Sequence, residues 1–431
     1  MPCHHPATMT ALDESCVPGA AAVLAARAQL LEWLLTHALS LWDRHGVDRR
    51  MGGFFESLST GGPDRSLVVA GSVRRGRVVA RQTYVFDLGR RLGWRSAFAD
   101  PADHGCAYLF AHLQAGDGLF HTAVDAQDQQ PQASFSLYEQ AFCLFALARL
   151  DPSSAGRHPI AASAARCLER LRSRYGKRIG GFEESVPHSV PLKSNPHMHL
   201  LEAALEWIKA ARGAAAQQPW IDLARELVGL CLTRFRDDSS GAVREYFDYS
   251  WGFMPGEDGR IVEPGHQFEW AWLLLQWSES PHSTPAERAT SIDAARRLVE
   301  LGERWGVDSG RGVAINEIWD DMTAKDRSAK FWPQTERLKA WCALRGHARN
   351  AAEAAHADRQ VVAAAQGVAK YLRTDVPGLW FEVCLPDGTL PVQPCKASSF
   401  YHVACAIDVL RTTAHATQSR VPDVPHLKMP E

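Results

Sequence analysis

Six short glycine-led segments punctuate this chain of 431 residues: GGFF at Gly52, GLFH at Gly118, GGFEES at Gly180, GAVREYF at Gly241, GVAINE at Gly312 and GLWFEV at Gly378. They return roughly every sixty to seventy residues, a period that limits the chain to repeat architectures. Each has an aromatic or aliphatic residue just after the glycine, and most carry a nearby Glu or His. They read as brief strands or hairpin tips, too short to build a central sheet. Two helical patterns lie between successive segments. Ala20 to His45 is one long pattern, about Arg77 to Leu92 is the next, and Pro101 opens another that runs to about Gln114. Six helix pairs can stack as an open solenoid, whose terminal repeats are polar caps. Here the last one, Ser398 to Leu410 (SSFYHVACAIDVL), is as apolar as the middle ones. That favours an all-α chain whose six pairs close into an (α/α)6 barrel, with short β-hairpins in the loops at one mouth.

Length alone suggests two or three domains, but no Ser/Gly-rich linker or shift in composition marks a boundary. The expectation is an N-terminal tail over 1–18, one barrel domain over 19–415 and a C-terminal tail over 416–431. His4 and His5 in the first tail are expected to be solvated. A formal net charge of −2 gives no electrostatic reason to expect nucleic acid or an anionic membrane. No stretch approaches the apolar length of a membrane span, and the first residues lack the pattern of a signal peptide. The ten cysteines are scattered without a CxxC. Cys143, Cys167, Cys231, Cys342 and Cys405 fall inside apolar helical patterns, as buried free thiols in a reducing cytosol would.

The stretch Glu263 to Trp277 (EPGHQFEWAWLLLQW) carries the sharpest polar signal. Pro264 and Gly265 break what precedes, so a helix begins with His266 in its first turn. Trp270, Leu273, Leu274 and Trp277 follow at helical spacing. His266 and Glu269 share one face at the helix start, either as a site or as simple capping groups. The other second-of-pair helices begin in the same way, with Arg81-Gln82-Thr83-Tyr84, Ser134 to Glu139, Asn195 to Glu202, Trp332 to Glu336, and Phe400 to His402. Six such starts meeting at one mouth bring together more Arg, His, Glu, Gln and Trp than a set of satisfied core groups explains. Helix N-termini favour negative charge by about 0.3–1 kcal/mol each and keep a nearby His neutral near pH 7. His199, His266 and His402 would then move protons, with Glu202 and Glu269 as orienting or pKa-raising partners. Arg81 would be a permanent cation for an oxyanion, and Trp332 and Trp380 suit the apolar face of a sugar ring. The chemistry is proton abstraction next to a carbonyl, with the enediolate stabilised electrostatically. His197-x-His199-x-x-Glu202 offers metal ligands, but His197 and His199 project from different sides of a helix, and no metal is expected. The cluster Arg74, Arg75 and Arg77 either holds a phosphate or sulfonate or faces solvent.

RQTY, NPHMHLLEA, EPGHQFEWAWLL, WPQTE and YH resemble, in order and spacing, the N-acylglucosamine 2-epimerase superfamily, which includes cellobiose 2-epimerases, mannose isomerases and sulfoquinovose isomerases. The resemblance covers nearly the whole chain after about residue 20, and the wording looks most like the mannose isomerase branch. It implies a cytoplasmic (α/α)6 barrel acting on a reducing mono- or disaccharide without metal or redox cofactor; whether a homodimer forms is left open. It implies that His402 moves the proton at C2, and that His266 opens the ring or serves as an opposite-face base. Arg81, His199, Glu202, Glu269 and Trp332 match positions that bind or orient the open-chain sugar, and Tyr84, Asn195, Glu336 and Trp380 complete the expected substrate-binding set. The expected reaction is D-mannose to D-fructose through a cis-enediol. Epimerisation at C2 of N-acylglucosamine, cellobiose or mannose is the alternative, because both histidines are present in either case. An inverting glycoside hydrolase recruiting Glu139, Glu269 and Glu336 would leave three histidines without work. A non-enzymatic binding barrel would have no need of Arg81, His266 and His402 together.

Overall fold

Each glycine that marks a repeat turns the chain where a side chain would be strained: Gly52, Gly118, Gly180, Gly241, Gly312 and Gly378 all have φ between 71° and 99°, the left-handed region that glycine enters freely. The computed structural model describes residues 19–59, 67–69, 71–132, 134–150 and 158–418. The N-terminal tail with His4 and His5, and the C-terminal tail beyond Gln418, lie outside them. The expected boundary at 415 falls inside the last helix.

Helix α1 (Gly19–Glu32) continues through a π-helical turn (Trp33–Ala38) into α2 (Leu39–His45). There follow α3 (Gly76–Arg91), α4 (Pro101–Tyr108), α5 (Leu137–Arg149), α6 (Ile160–Tyr175), α7 (Ser194–Ala210) and α8 (Ala214–Leu230). The rest are α9 (Pro264–Glu279), α10 (Pro285–Gly306), α11 (Trp332–Gly346), α12 (Ala351–Tyr371) and α13 (Ala397–Gln418). Several starts are capped by the side chain just ahead: Asp100 for α4, Ser136 for α5, Asn350 for α12, and Thr284 with Glu287 as a capping box for α10. Each such cap is worth about 1 kcal/mol.

The helices sort into two kinds. In α10 the buried positions, Ser291, Ala294, Ala295, Leu298, Val299 and Gly302 among them, fall on one stripe, the mark of a flanking helix. In α9 every residue from Pro264 to Leu275 is buried. The stripe expected from Trp270, Leu273, Leu274 and Trp277 is thus one side of a helix covered all round. The buried helices pack in a cycle: α3 on α5, α5 on α7, α7 on α9, α9 on α11, α11 on α13, and α13 back on α3. The flanking helices follow in step, α4 on α3, α6 on α5, α8 on α7, α10 on α9 and α12 on α11, while α1 packs on α12 and α13. One apolar cluster runs from Val23 to Leu410. Eight cysteines in the described residues are buried and free. Among the described residues no helix is long and apolar enough to cross a membrane.

The short strands make a second circuit. The residues just ahead of each buried helix pair antiparallel with the loop that leads to the next: Val73–Arg75 with Ala123–Asp125, Ser136 with Ser185, Leu192–Lys193 with Tyr246–Phe247, and Ile261–Val262 with Glu317–Trp319. Ala329–Lys330 then pairs with Val383–Cys384, and Cys395–Lys396 returns to Ser57–Leu58. Two side-chain devices hold this rim. A glutamine in the first turn of a buried helix clamps both backbone groups of a residue just past the glycine: Gln140 on Phe120, Gln267 on Val243 and Gln334 on Ala314, all at 2.7–2.9 Å. Four residues past the glycine, an acceptor side chain takes the backbone N–H of a residue at the start of the next buried helix. Glu56 takes Arg75, Glu184 takes Lys193, Glu245 takes Glu263, Asn316 takes Lys330 and Glu382 takes Lys396. Backbone groups at helix starts have no intrahelical partner, and here the previous repeat supplies one.

Candidate active site

The first turns of the buried helices converge on a cavity of about 590 Å³. Of the residues expected from the sequence, Arg81, Asn195, His199, His266, Glu269, Trp332 and His402 line it. Glu202 and Glu336 lie one layer below, each bonded to a histidine of the wall.

His402 and His266 are held in opposite charge states. The Nδ1 of His402 is 2.8 Å from Glu336 Oε1, so Nδ1–H donates a hydrogen bond to the carboxylate and Nε2 is left bare. Burial drives its pKa well below the usual 6.5, and the positive charges of Arg81 and Lys339 push the same way. His266 has its Nδ1 2.8 Å from Glu245 Oε2 and 3.7 Å from Glu263 Oε2. Burial opposes the charged form, but these two carboxylates outweigh it and hold the pKa up at about 10. The expectation of a neutral His266 at a helix N-terminus is therefore corrected: the Glu245 carboxylate at 2.8 Å, reinforced by the more distant Glu263, exceeds the fractional positive charge of a helix end. An imidazolium donates from both nitrogens. Its Nε2 faces the Asn195 amide at 3.2 Å, and the Asn195 oxygen is otherwise buried without a partner. Turning that amide over lets the oxygen accept.

His199 donates from Nδ1 to Glu202 at 3.2 Å, and burial, despite Glu202, lowers its pKa to about 4. Glu202 also accepts from the Tyr401 hydroxyl. Glu269 is buried with no hydrogen-bond partner on either oxygen, its nearest basic neighbour being His199 Nδ1 at 3.7 Å. Burial and the neighbouring Glu336 and Glu202 raise its pKa well above the carboxylate range despite Lys339, so it faces the cavity as a neutral acid able to donate. Arg81 is pinned by the Tyr138 hydroxyl at 2.9 Å and lies 3.8 Å from the centre of the Phe142 ring. Trp332 is tilted between the catalytic candidates, its ring 4.9 Å from His266 and 5.8 Å from His402.

Gly265 makes that placement of Trp332 feasible. A Cβ there would lie 2.5 Å from the Trp332 ring and 3.0 Å from Pro333. Gly265→Ala is expected to cost about 1–3 kcal/mol through overpacking and to lower kcat/KM by displacing the indole. A thermal melt and a rate unchanged from wild type would show that this contact does not fix Trp332.

Two expected substrate-binding residues are elsewhere. Tyr84 is buried against Phe145 and Tyr401 and lines a separate cavity with Arg149 and Glu206; at its position on α3 it points past the first turn. Trp380 is fully buried, stacked on Trp42 and bonded through Nε1 to Glu382, so no ring face is left for a sugar. Arg74, Arg75 and Arg77 form no anion cradle and are not a free solvent-facing cluster. They pair with Asp48, Glu56 and Glu139 respectively, and Arg74 is buried. Glu139 is thereby occupied on Arg77.

The residues missed were Glu245, Tyr138, Lys339 and the rim groups Asn316, Lys330, Glu382 and Lys396. Glu245 had a signal, since an acceptor recurs four residues past the repeat glycines. It alone of those acceptors also reaches a histidine of the cavity. His197 takes the place of the clamping glutamine, accepting the Phe182 N–H at Nε2 and donating from Nδ1 to the Lys193 carbonyl. It thus faces away from His199, as the helical geometry predicts. Some His and Glu side chains come within 4.8 Å of one another, such as His199, Glu202 and Glu269. A cation there would compete with the Lys339 ammonium, which already lies 2.6 Å from Glu336 and neutralises this layer. We read the set as a proton-transfer group.

The family model described as N-acylglucosamine 2-epimerase (GlcNAc 2-epimerase) matches residues 52–406. A protein named mannose-6-phosphate isomerase from Rhizobium meliloti (strain 1021) is 40% identical over 386 residues, 88% of this chain and 95% of that one. The structure of cellobiose 2-epimerase from Spirochaeta thermophila DSM 6192 aligns with a TM-score of 0.77 at 21% identity, covering 92% of this chain and 98% of that one. A D-mannose isomerase structure aligns with a TM-score of 0.74 at 18% identity, covering 92% and 100%.

Proposed function

The chain belongs to the N-acylglucosamine 2-epimerase family of sugar isomerases and epimerases, and from that premise we propose that it interconverts D-mannose and D-fructose through a cis-enediol, on one (α/α)6 barrel domain that runs to the end of α13. The observation that carries the choice of isomerisation is the unequal setting of the two histidines. His266 lies between two carboxylates, whereas the single carboxylate under His402 is already matched by Lys339. A two-base epimerase must pass through a state in which the base has gained a proton and the acid has lost one. With the His402 pKa held well below its usual value and that of His266 raised, that exchanged state lies uphill. An isomerase avoids it, because one base returns the proton it took.

In this scheme His402 Nε2 removes the proton from C2 of the open-chain aldose and delivers it to C1 on the same face. O1 gains a proton from the His266 or Glu269 acid and the O2 hydroxyl returns one to it, so that both acid and base end as they began. The charge developing on the enediolate oxygens is met by Arg81, the His266 imidazolium and the neutral Glu269 acid. Trp332 packs against the carbon side of the sugar. Glycoside hydrolysis is disfavoured because Glu336 and Glu139 are committed to Lys339 and Arg77. The substrate is read as an uncharged sugar. Arg74, Arg75 and Arg77 are each paired, and the rim lysines Lys330 and Lys396 have Glu263 and Glu382 beside them.

The test is NMR of the purified protein with D-mannose in deuterated water. Fructose with deuterium at exchangeable carbons is the expected result, and glucose without fructose would move the reading to 2-epimerase. Turnover of mannose 6-phosphate but not mannose would overturn the uncharged-sugar assignment. The pH profile is a further expected outcome. The base must be neutral and the acid protonated, so kcat/KM should be flat from about pH 6.5 upward and decline only as the pH approaches 10. A bell centred on neutral pH would contradict the assigned charge states.

A further inference from the structure

Beneath His402 lies a cation for which the proton-transfer scheme has no step. Lys339, on α11, has no exposed surface. Its Nζ is 2.6 Å from Glu336 Oε2, and the other oxygen of that carboxylate, Oε1, is 2.8 Å from His402 Nδ1. On another side the ammonium packs 3.8 Å from the centre of a Trp272 ring. Charged and titratable groups face this layer from each neighbouring helix: Arg81 on α3, Tyr138 on α5, His199 and Glu202 on α7, His266 and Glu269 on α9, and Tyr401, His402 and Cys405 on α13.

Burying an ammonium costs several kcal/mol, and an apolar side chain of similar length would pack against Trp272 without that cost. Glu336, Glu269 and Glu202 are crowded into the same layer, and like charges at this distance do not all stay ionised. Which of them keeps its charge decides the tautomer of His402. A carboxylate at position 336 accepts the Nδ1 proton, whereas a protonated acid there would donate to Nδ1 and move the imidazole proton to Nε2, where it blocks the base.

We propose that Lys339 is a positioning residue for the reaction: its ammonium fixes Glu336 as a carboxylate aimed at His402 Nδ1, and so presents the bare His402 Nε2 to the substrate. The inference rests on the reading of His402 as the base. Lys339 acts through Glu336 and does not line the cavity. Its charge also opposes protonation of His402, so its removal has a definite sign. Without it His402 gains a proton more easily, and the acid limb of the rate profile moves to higher pH.

The experiment compares wild type, Lys339→Met and Lys339→Arg by C2 exchange rate against pH. Lys339→Met is expected to lose at least about ten-fold in kcat with KM little changed, and its acid limb should rise by about one pH unit or more. Lys339→Arg, which keeps the charge, should retain the wild-type limb even if its rate falls. A folded Lys339→Met with the wild-type acid limb overturns the proposal. Should Lys339→Met not fold, nitrogen NMR of wild type decides, and it requires no substrate. An ammonium at Lys339 together with His402 protonated on Nδ1 and bare at Nε2 is expected across the active range. A neutral Lys339 amine, or the opposite tautomer, overturns the proposal. Failure of wild type to exchange the C2 proton counts against the function reading alone.

Discussion

His402→Ala is expected to slow deuterium exchange at C2 of the sugar by at least about a hundred-fold, the lower end of what a positioned general base supplies, and to leave the fold standing. Loss of a buried histidine ordinarily orphans its partner, and an unpaired buried carboxylate destabilises strongly. Here Glu336 keeps its second contact, Lys339 at 2.6 Å, so the carboxylate stays compensated when the imidazole is gone. The variant should therefore melt close to wild type while exchange collapses. Both are read on one preparation, by NMR in deuterated water and by thermal melt. Exchange retained at the wild-type rate would remove His402 from the mechanism.

The second large effect is at His266, and it has two parts. His266→Gln removes the cation between Glu245 and Glu263 and is expected to lower kcat/KM about a hundred-fold, by loss of the acid that assists the sugar oxygens. It should also destabilise by about 3 kcal/mol, the scale for breaking a buried pair. The pH dependence has a fixed sign. The folded pKa of about 10 lies above the ordinary 6.5, so the stabilisation is complete below about pH 6.5 and fades as the pH rises through 10. The gap in melting temperature between variant and wild type should be widest at neutral pH and below, and should narrow on the alkaline side. Glu245→Gln tests the cause. With its main carboxylate removed, the alkaline limb of the rate should slide down from near pH 10. A limb unmoved in that variant would separate His266 from the acid role.

Much of this architecture was readable because it repeats. Glycines with positive φ cannot be replaced cheaply, so six of them at a near-constant interval marked six turns, and the residues after Pro264 marked a helix start that the structure confirms. The cavity residues were readable for a related reason: His, Glu and Arg at the buried starts of apolar helices have no routine packing role. Tyr84 and Trp380 misled because the sequence gives a residue's element but not its depth along it. Tyr84 lies one turn beyond Arg81, enough to leave the cavity, and Trp380 is claimed by Trp42 from a distant part of the chain and by Glu382 two residues on. The charge on His266 was out of reach for the same reason. Glu245 is far enough away in sequence that only the fold brings it to the imidazole. Once the acceptor four residues past five of the six glycines is recognised as a rim clamp, Glu245 stands out as the clamp that also reaches a histidine of the cavity.

The return of α13 onto α3, with Cys395–Lys396 paired back to Ser57–Leu58, has a consequence for how the protein is made. A chain emerging from the ribosome exposes the waiting flank of α3 until its last buried helix appears, and that helix carries His402. With His402 as the proposed base, the nascent protein would be inert until synthesis reaches its final repeat, because the event that seals the apolar interior also delivers His402.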